Sequence, residues 1–214
     1  MEDSVKNPWL EIPFDDYEGH MRDPAVGQFA FLSQIFYSQL NRFSPDSVGI
    51  LGAATGNGLE HIDRGQTRSV TVFDINPHYL EVLEQRYRDR IPGLEIRNVD
   101  LNLYDNPNHR FAMIYAALVF EYVDCDSLLE RSSKWLKQQG VLTVILQQAD
   151  AANKKVSRTR FASLEKLAPL MNLVYPETFR DMAAKHNLVE IFSETVRLPA
   201  GKTFHVASYR KNKG

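Results

Sequence analysis

A chain of 214 residues with 43% apolar side chains can bury one sizeable core, and its net charge of −2 offers no overall basic excess for gripping phosphate backbones, so nucleic acid is not an expected partner. No apolar run reaches the roughly 20 residues of a membrane span, and the N-terminal MEDSVKNPW is polar and acidic where a signal peptide would be basic and then apolar. Cys125 is the only cysteine, which excludes an internal disulfide and suits a reducing cytoplasm.

Residues 1–24 carry Pro8, Pro13 and Pro24 with Trp9, Phe14 and Tyr17 between them, which predicts an irregular arm packed on the domain through its aromatics. From Ala25 to Arg42 the pattern becomes helical: Phe29, Leu32, Phe36, Leu40 and Phe43 recur at three- and four-residue steps on one face. Ser44-Pro45-Asp46 breaks this helix. Val48 to Leu51 then reads as a buried strand, and Gly52, Gly56 and Gly58 stand where that strand should turn into a helix.

Strands and helices alternate beyond this point. Ser69 to Phe73 is a strand ending at Asp74, and Asn76-Pro77 opens a helix to about Arg90 with Leu80, Leu83 and Tyr87 inward. Leu94 to Val99 is a short strand, and Phe111 to Val119 is the continuous apolar run of a strand buried on both faces. Leu128, Leu129 and Leu136 mark a helix that Gly140 can end, before the strand Val141 to Leu146. Ala149 to Arg160, with Lys154, Lys155, Arg158 and Arg160, reads first as a solvated basic connection and second as a grip for an acidic ligand; Leu164, Leu167 and Leu170 follow as an amphipathic segment. A helix from Pro176 to about His186 precedes two strands, Val189 to Leu198 and Thr203 to Tyr209, joined by Pro199-Ala200-Gly201. The expected fold is α/β, a doubly wound and mostly parallel seven-stranded sheet with an antiparallel C-terminal hairpin.

A glycine turn after the first strand and an acid after the second is the general grammar of nucleotide binding in open α/β sheets, and Asp74 follows Gly52 by 22 residues, the spacing at which a carboxylate meets ribose hydroxyls. The dinucleotide fingerprint fits poorly, because Ala53-Ala54 follows the first glycine and His61 stands where the last small residue should be. The one tyrosine followed four residues later by a lysine, the pair of a short-chain dehydrogenase, is Tyr209, before Lys213, at the end of the last strand rather than beside the glycine turn.

ILGAATGNG resembles instead the first motif, acid-apolar-Gly-x-Gly-x-Gly, of the class I S-adenosylmethionine-dependent methyltransferases, with Ile50 in place of the acid and Ala54 in place of the middle glycine. The resemblance extends over roughly residues 44–210. It implies that Gly52, Ala53 and Gly56 border the cofactor, that Asp74 binds the ribose with Ile75 beside the adenine, that Asp100-Leu101 contacts the adenine, and that Ala116 and Ala117 of FAMIYAALVFEY line the methyl group. Residues 1–46 and 149–175 lack the Asn-Pro-Pro-Tyr type of signature that enzymes methylating bases or glutamine carry, which favours a small O-, N- or C-acceptor. The matching layout is a single domain over 1–214: an N-terminal arm and helix forming a lid at 1–46, a cofactor-binding core at 47–148, a variable substrate-side insertion at 149–175, and a last helix and hairpin at 176–214. Ile50 leaves the cofactor's ammonium to another acid, to carbonyls or to water. Ala54 penalises positive backbone angles, so the loop is expected to avoid one there.

Methyl transfer asks mainly for alignment and exclusion of water, with a base needed only for an acceptor that keeps a proton near neutrality. His20, in the arm sequence YEGHM, is the candidate catalytic base, and Tyr17 a candidate acceptor contact. Glu121, Tyr122 and Gln147 lie just beyond the fourth and fifth strands, where such sheets place ligands. The remaining histidines lack metal-ligand spacing, so no metal is assigned. Two other readings stay open: an NAD(P)-dependent oxidoreductase on a related sheet, and a non-catalytic S-adenosylmethionine-binding protein.

Overall fold

The computed structural model describes residues 7–91, 93–105, 108, 110–149 and 155–212; of the residues named above, Lys154 and His109 lie outside this set. Seven strands form one sheet: β1 (Ser47–Leu51), β2 (Ser69–Asp74), β3 (Leu94–Asn98), β4 (Phe111–Ala117), β5 (Leu136–Gln147), β6 (Leu188–Arg197) and β7 (Thr203–Lys211), in the order β3-β2-β1-β4-β5-β7-β6. The first five strands are parallel where they pair, and β7 runs antiparallel to both neighbours. The carboxyl ends of the parallel strands therefore share one edge with the start of β7, with Leu51 opposite Phe73 and Ala116, and Gln147 opposite Phe204.

Strand periodicity assigns the two faces. Val48 and Ile50 face a layer with Leu32, Phe36 and Leu40 of α2 (Gln28–Phe43) and Leu80 and Leu83 of α3 (Pro77–Tyr87). Leu51, Ile114 and Val144 face Leu128, Leu129 and Trp135 of α4 (Cys125–Trp135) and Phe179 and Ala183 of α5 (Pro176–Lys185). The sheet is thus covered by helices on both sides. Asn76 caps α3 as its sequence predicts, its Oδ1 accepting from the His78 and Tyr79 N–H groups. No helix among the described residues is long and apolar enough to cross a membrane.

Four expectations are corrected. The arm is not irregular throughout: Phe14–Arg22 forms α1, entered from the extended Pro13, with Asp15 and Asp16 at its positive end and His20 and Arg22 at its negative end. The glycine stretch after β1 makes a turn and a short 3₁₀ helix, Leu59–His61, rather than an α-helix, because Gly56 and Gly58 take φ of 87° and 92°. Gly140 does not end α4. Leu136 already pairs with Phe111 in β5, and Gly140 sits within that strand beside a register shift, where a Cβ would meet the Lys137 and Phe111 carbonyls at 2.9 Å. Finally, Leu164 and Leu167 are buried on a 3₁₀ helix, Ala162–Leu167, but Leu170 is 39% exposed because that helix has already ended.

Candidate cofactor and acceptor site

A cleft runs along the carboxyl edge of the sheet. Its floor is main chain. Gly52 follows β1 at φ 65° and opens to the cleft; a Cβ there would lie 2.6 Å from Val119 Cγ2, so only glycine keeps this floor open. Ala54, expected to avoid positive φ, has φ 45°. The cause is Asp74: its Oδ2 accepts from the Ala54 N–H at 2.8 Å, a charged hydrogen bond that holds the turn against a strain of about 1 kcal/mol. Leu118, just past β4, is a second non-glycine residue at positive φ (57°) in the same wall, fixed by its N–H on the Ile145 carbonyl at 2.9 Å.

Asp74 is 8% exposed and its Oδ1 accepts from the Asn76 N–H at 2.9 Å. Burial nevertheless pushes its carboxyl up to about 6, the amide bonds from Asn76, Ala54 and Ile75 opposing this only in part. A polar partner reaching it through the cleft would favour the charged form. Next to it, Tyr79 carries a buried hydroxyl with no hydrogen-bond partner among the described residues, and its ring lies 5.3 Å from that of Tyr17.

The arm covers this floor. Trp9 packs edge-on against Tyr17 and Tyr122, at centroid distances of 6.2 and 5.1 Å, and its carbonyl accepts from Asn76 Nδ2 at 2.9 Å. Glu18 of α1 pairs with Arg86 of α3 and accepts from Thr55 Oγ1 of the glycine turn. Across the opening, Ser163 donates to Asp16 at 2.6 Å and Lys166 pairs with Glu11 at 2.9 Å. Gly19 explains how closely these pieces meet, since a Cβ there would lie 2.2 Å from Phe161 Cζ.

At the other end of the cleft the polar groups differ. His20 is 5% exposed, with Nδ1 3.0 Å from Thr159 Oγ1, and burial followed by the Lys202 charge drives its value down to about 4. It is therefore neutral at pH 7. Lys202, immediately before β7, is 4% exposed and donates to Gln147 Oε1 and to the Lys155 carbonyl, each at 2.9 Å. Behind it, fully buried Glu121 accepts from the Gln147 N–H at 2.7 Å, and burial lifts its carboxyl to about 7.

Of the residues singled out from the sequence, Tyr17, His20, Gly52, Asp74, Ile75, Asp100, Leu101, Ala117, Tyr122 and Gln147 line this one cleft. Ala53, Gly56, Ala116 and Glu121 lie behind its wall: Ala53 is held by its N–H on the Phe73 carbonyl, Gly56 packs toward Tyr87 and Leu83, and Ala116 is wholly buried in β4. Sequence reasoning missed Tyr79, Gln28 and Lys202. Tyr79 had a signal, three residues past the Asn76 cap beside the acid; Lys202, a lone cation in a hairpin, had none. The basic run is also not a free cluster: Lys155 donates to the Met171 carbonyl at 2.5 Å, and Arg160 lies over the Phe161 ring at 4.9 Å.

Residues 50–140 match the family model of the methyltransferase domain. No curated protein sequence matches the chain. Similar solved structures include the N-methyltransferase NodS from Bradyrhizobium japonicum WM9 in complex with S-adenosyl-L-homocysteine, at 18% identity over 84% of this chain and 87% of that one, with a TM-score of 0.64. A candidate sarcosine dimethylglycine methyltransferase from Galdieria sulphuraria has 13% identity over 86% of each chain and a TM-score of 0.66. The [4+2]-cyclase SpnF has 12% identity over 86% of this chain and 80% of that one, with a TM-score of 0.67. At such identities the likeness speaks to the fold. The match to the methyltransferase-domain model takes in the glycine turn, the acid after β2 and the two following strands.

Proposed function

We propose that the domain methylates a small molecule held in the cleft between the sheet edge and the arm, the cofactor lying over β2, β1 and β4. The observation that carries this is the closure of the cleft by α1 and residues 155–171, joined through Gly19 and Phe161: a covered cleft suits a nucleoside cofactor with a small acceptor better than a polymer. The residues present fit the cofactor. Asp74 and the unpartnered Tyr79 hydroxyl are polar groups that gain from ribose or amino-acid atoms, and Gly52 leaves bare main chain beside them. Asp100 and Leu101 would border the adenine, and buried Gln28, which lines the cleft, is a candidate for the ammonium that Ile50 does not face.

The bound cofactor supplies a methyl group on a sulfonium, already a strong electrophile. The chain's own work is alignment and drying. Trp9, Tyr17 and Tyr122 exclude water from above, while neutral His20, oriented by Thr159, accepts a hydrogen bond from the acceptor's N–H or O–H. A base with so low a value takes the whole proton only from a strongly acidic product such as the oxonium formed by O-methylation, so with a hydroxyl acceptor His20 acts late. We treat the whole chain as one such domain. Half-buried Cys125, its thiol lifted to about 12 by burial, is unreactive.

Thermal-shift titration with S-adenosylhomocysteine and NADH tests the reading, followed by methyl incorporation from labelled donor into a metabolite library. Stabilisation by the first and incorporation into small products are expected; stabilisation by NADH alone would overturn it.

A further inference from the structure

Lys202 is the feature of the cleft that this reading leaves unused. Its ammonium offers three donors, and two go to neutral oxygens, Gln147 Oε1 and the Lys155 carbonyl, both at 2.9 Å. Among the described residues no carboxylate forms an ion pair with it. Glu121 stands one residue removed: it spends Oε1 on the Gln147 N–H, fixing the side chain that receives Lys202, and leaves Oε2 buried without a partner. Lys202 is 4% exposed, lines the cleft and makes its direct contacts with neutral groups, the Glu121 charge acting on it only from behind Gln147, so an anion entering the cleft would complete its shell.

Position decides which anion. The cleft's described carboxylates, Asp74 and Asp100, follow β2 and β3, so anions are repelled from that side. Lys202 immediately precedes β7, three strands beyond β1 in the sheet and therefore roughly 14 Å from it at about 4.8 Å per strand. With the nucleoside over β2, the ground in front of Lys202 is the acceptor's, and His20, which feels the Lys202 charge, faces the same space. We propose that the methyl acceptor is a small acid whose carboxylate or equivalent anionic oxygen docks on Lys202 Nζ, with its nucleophilic atom turned toward His20. This rests on the methyl-transfer reading and deepens it by naming the acceptor's chemical class.

The test uses matched acids and amides, benzoate against benzamide and acetate against acetamide, added to the full chain saturated with S-adenosylhomocysteine and followed by melting temperature. The acids should stabilise the complex and the amides should not, and Lys202→Met should weaken the acids by about tenfold or more while leaving S-adenosylhomocysteine affinity within about twofold. Equal response to acids and amides, or no response to either acid, overturns the proposal, and these wild-type measurements decide even if the variant fails to fold. If Lys202→Met weakens S-adenosylhomocysteine about tenfold but spares 5′-methylthioadenosine, the anion is the cofactor's own carboxylate and the proposal falls. Failure of the unaltered protein to bind S-adenosylhomocysteine at all would instead refute the reading beneath it.

Discussion

Replacing Asp74 with asparagine removes its charge and turns one of its two accepting oxygens into a donor that faces the backbone N–H of Ala54 or Asn76. In the cofactor-free protein the folded-state carboxyl titrates near 6 against an ordinary 3.8, so the stability this group contributes is full below about 3.8 and is lost as pH rises through about 6. A ribose that donates to Asp74 needs the ionised form. Binding therefore releases a proton below pH 6, and affinity for S-adenosylhomocysteine should improve roughly tenfold between pH 5 and pH 7, as the ionised fraction climbs from about one-eleventh to about ten-elevenths. Asp74→Asn should bind about 10- to 150-fold more weakly at pH 7, the loss of charged acceptance being about 1.5–3 kcal/mol, and its affinity should be flat over the same range. Calorimetric titration at several pH values, in buffers of differing ionisation enthalpy, reads both the affinity and the proton count. Parallel pH profiles for the two proteins would refute the assignment of Asp74 to the ribose.

Three further outcomes follow from the geometry. His20→Gln should lower turnover by about 10²-fold while leaving S-adenosylhomocysteine affinity within about twofold, measured with the first acceptor found; a change in affinity alone would make the arm a cofactor clamp. Gly19→Ala should force the arm away from Phe161, lowering stability by about 1–3 kcal/mol and exposing residues 7–22 to limited proteolysis, with Phe161→Leu restoring part of the loss. Gly52→Ala combines a positive φ with a Cβ 2.6 Å from Val119, so it should reduce cofactor affinity by about tenfold or more at little cost in secondary structure by circular dichroism.

What could be read from the sequence was whatever has a local cause. Asn76-Pro77 opened α3 because a cap and a fixed φ are properties of two residues, and the strands showed themselves by apolar runs that burial on both faces requires. Asp74 and Gly52 were legible as a pair because their spacing is set by one strand-to-strand crossover. The misreadings share the opposite origin. Ala54 reaches positive φ through a hydrogen bond to a residue 20 positions away, Gly140 sits in a strand because Phe111 pairs nearby, and Lys202 enters the cleft only because β7 slots in beside β5. The helix at Phe14–Arg22 was hidden by flanking prolines that start a helix as readily as they prevent one.

The place of β7 in the sheet has a consequence for how the molecule is made. β1 to β4, with the Gly52 and Asp74 side of the cleft, are complete by residue 117, whereas Lys202 and the strand that follows it are made only after β5 and β6. Until then β5 has an open edge where β7 will pair, from Val141 to Gln147, and the Lys202 side of the cleft is missing. A nascent chain on this plan forms the Asp74 side of the cleft first and the Lys202 side last, so on the function proposed above a partly made domain could not hold an acceptor.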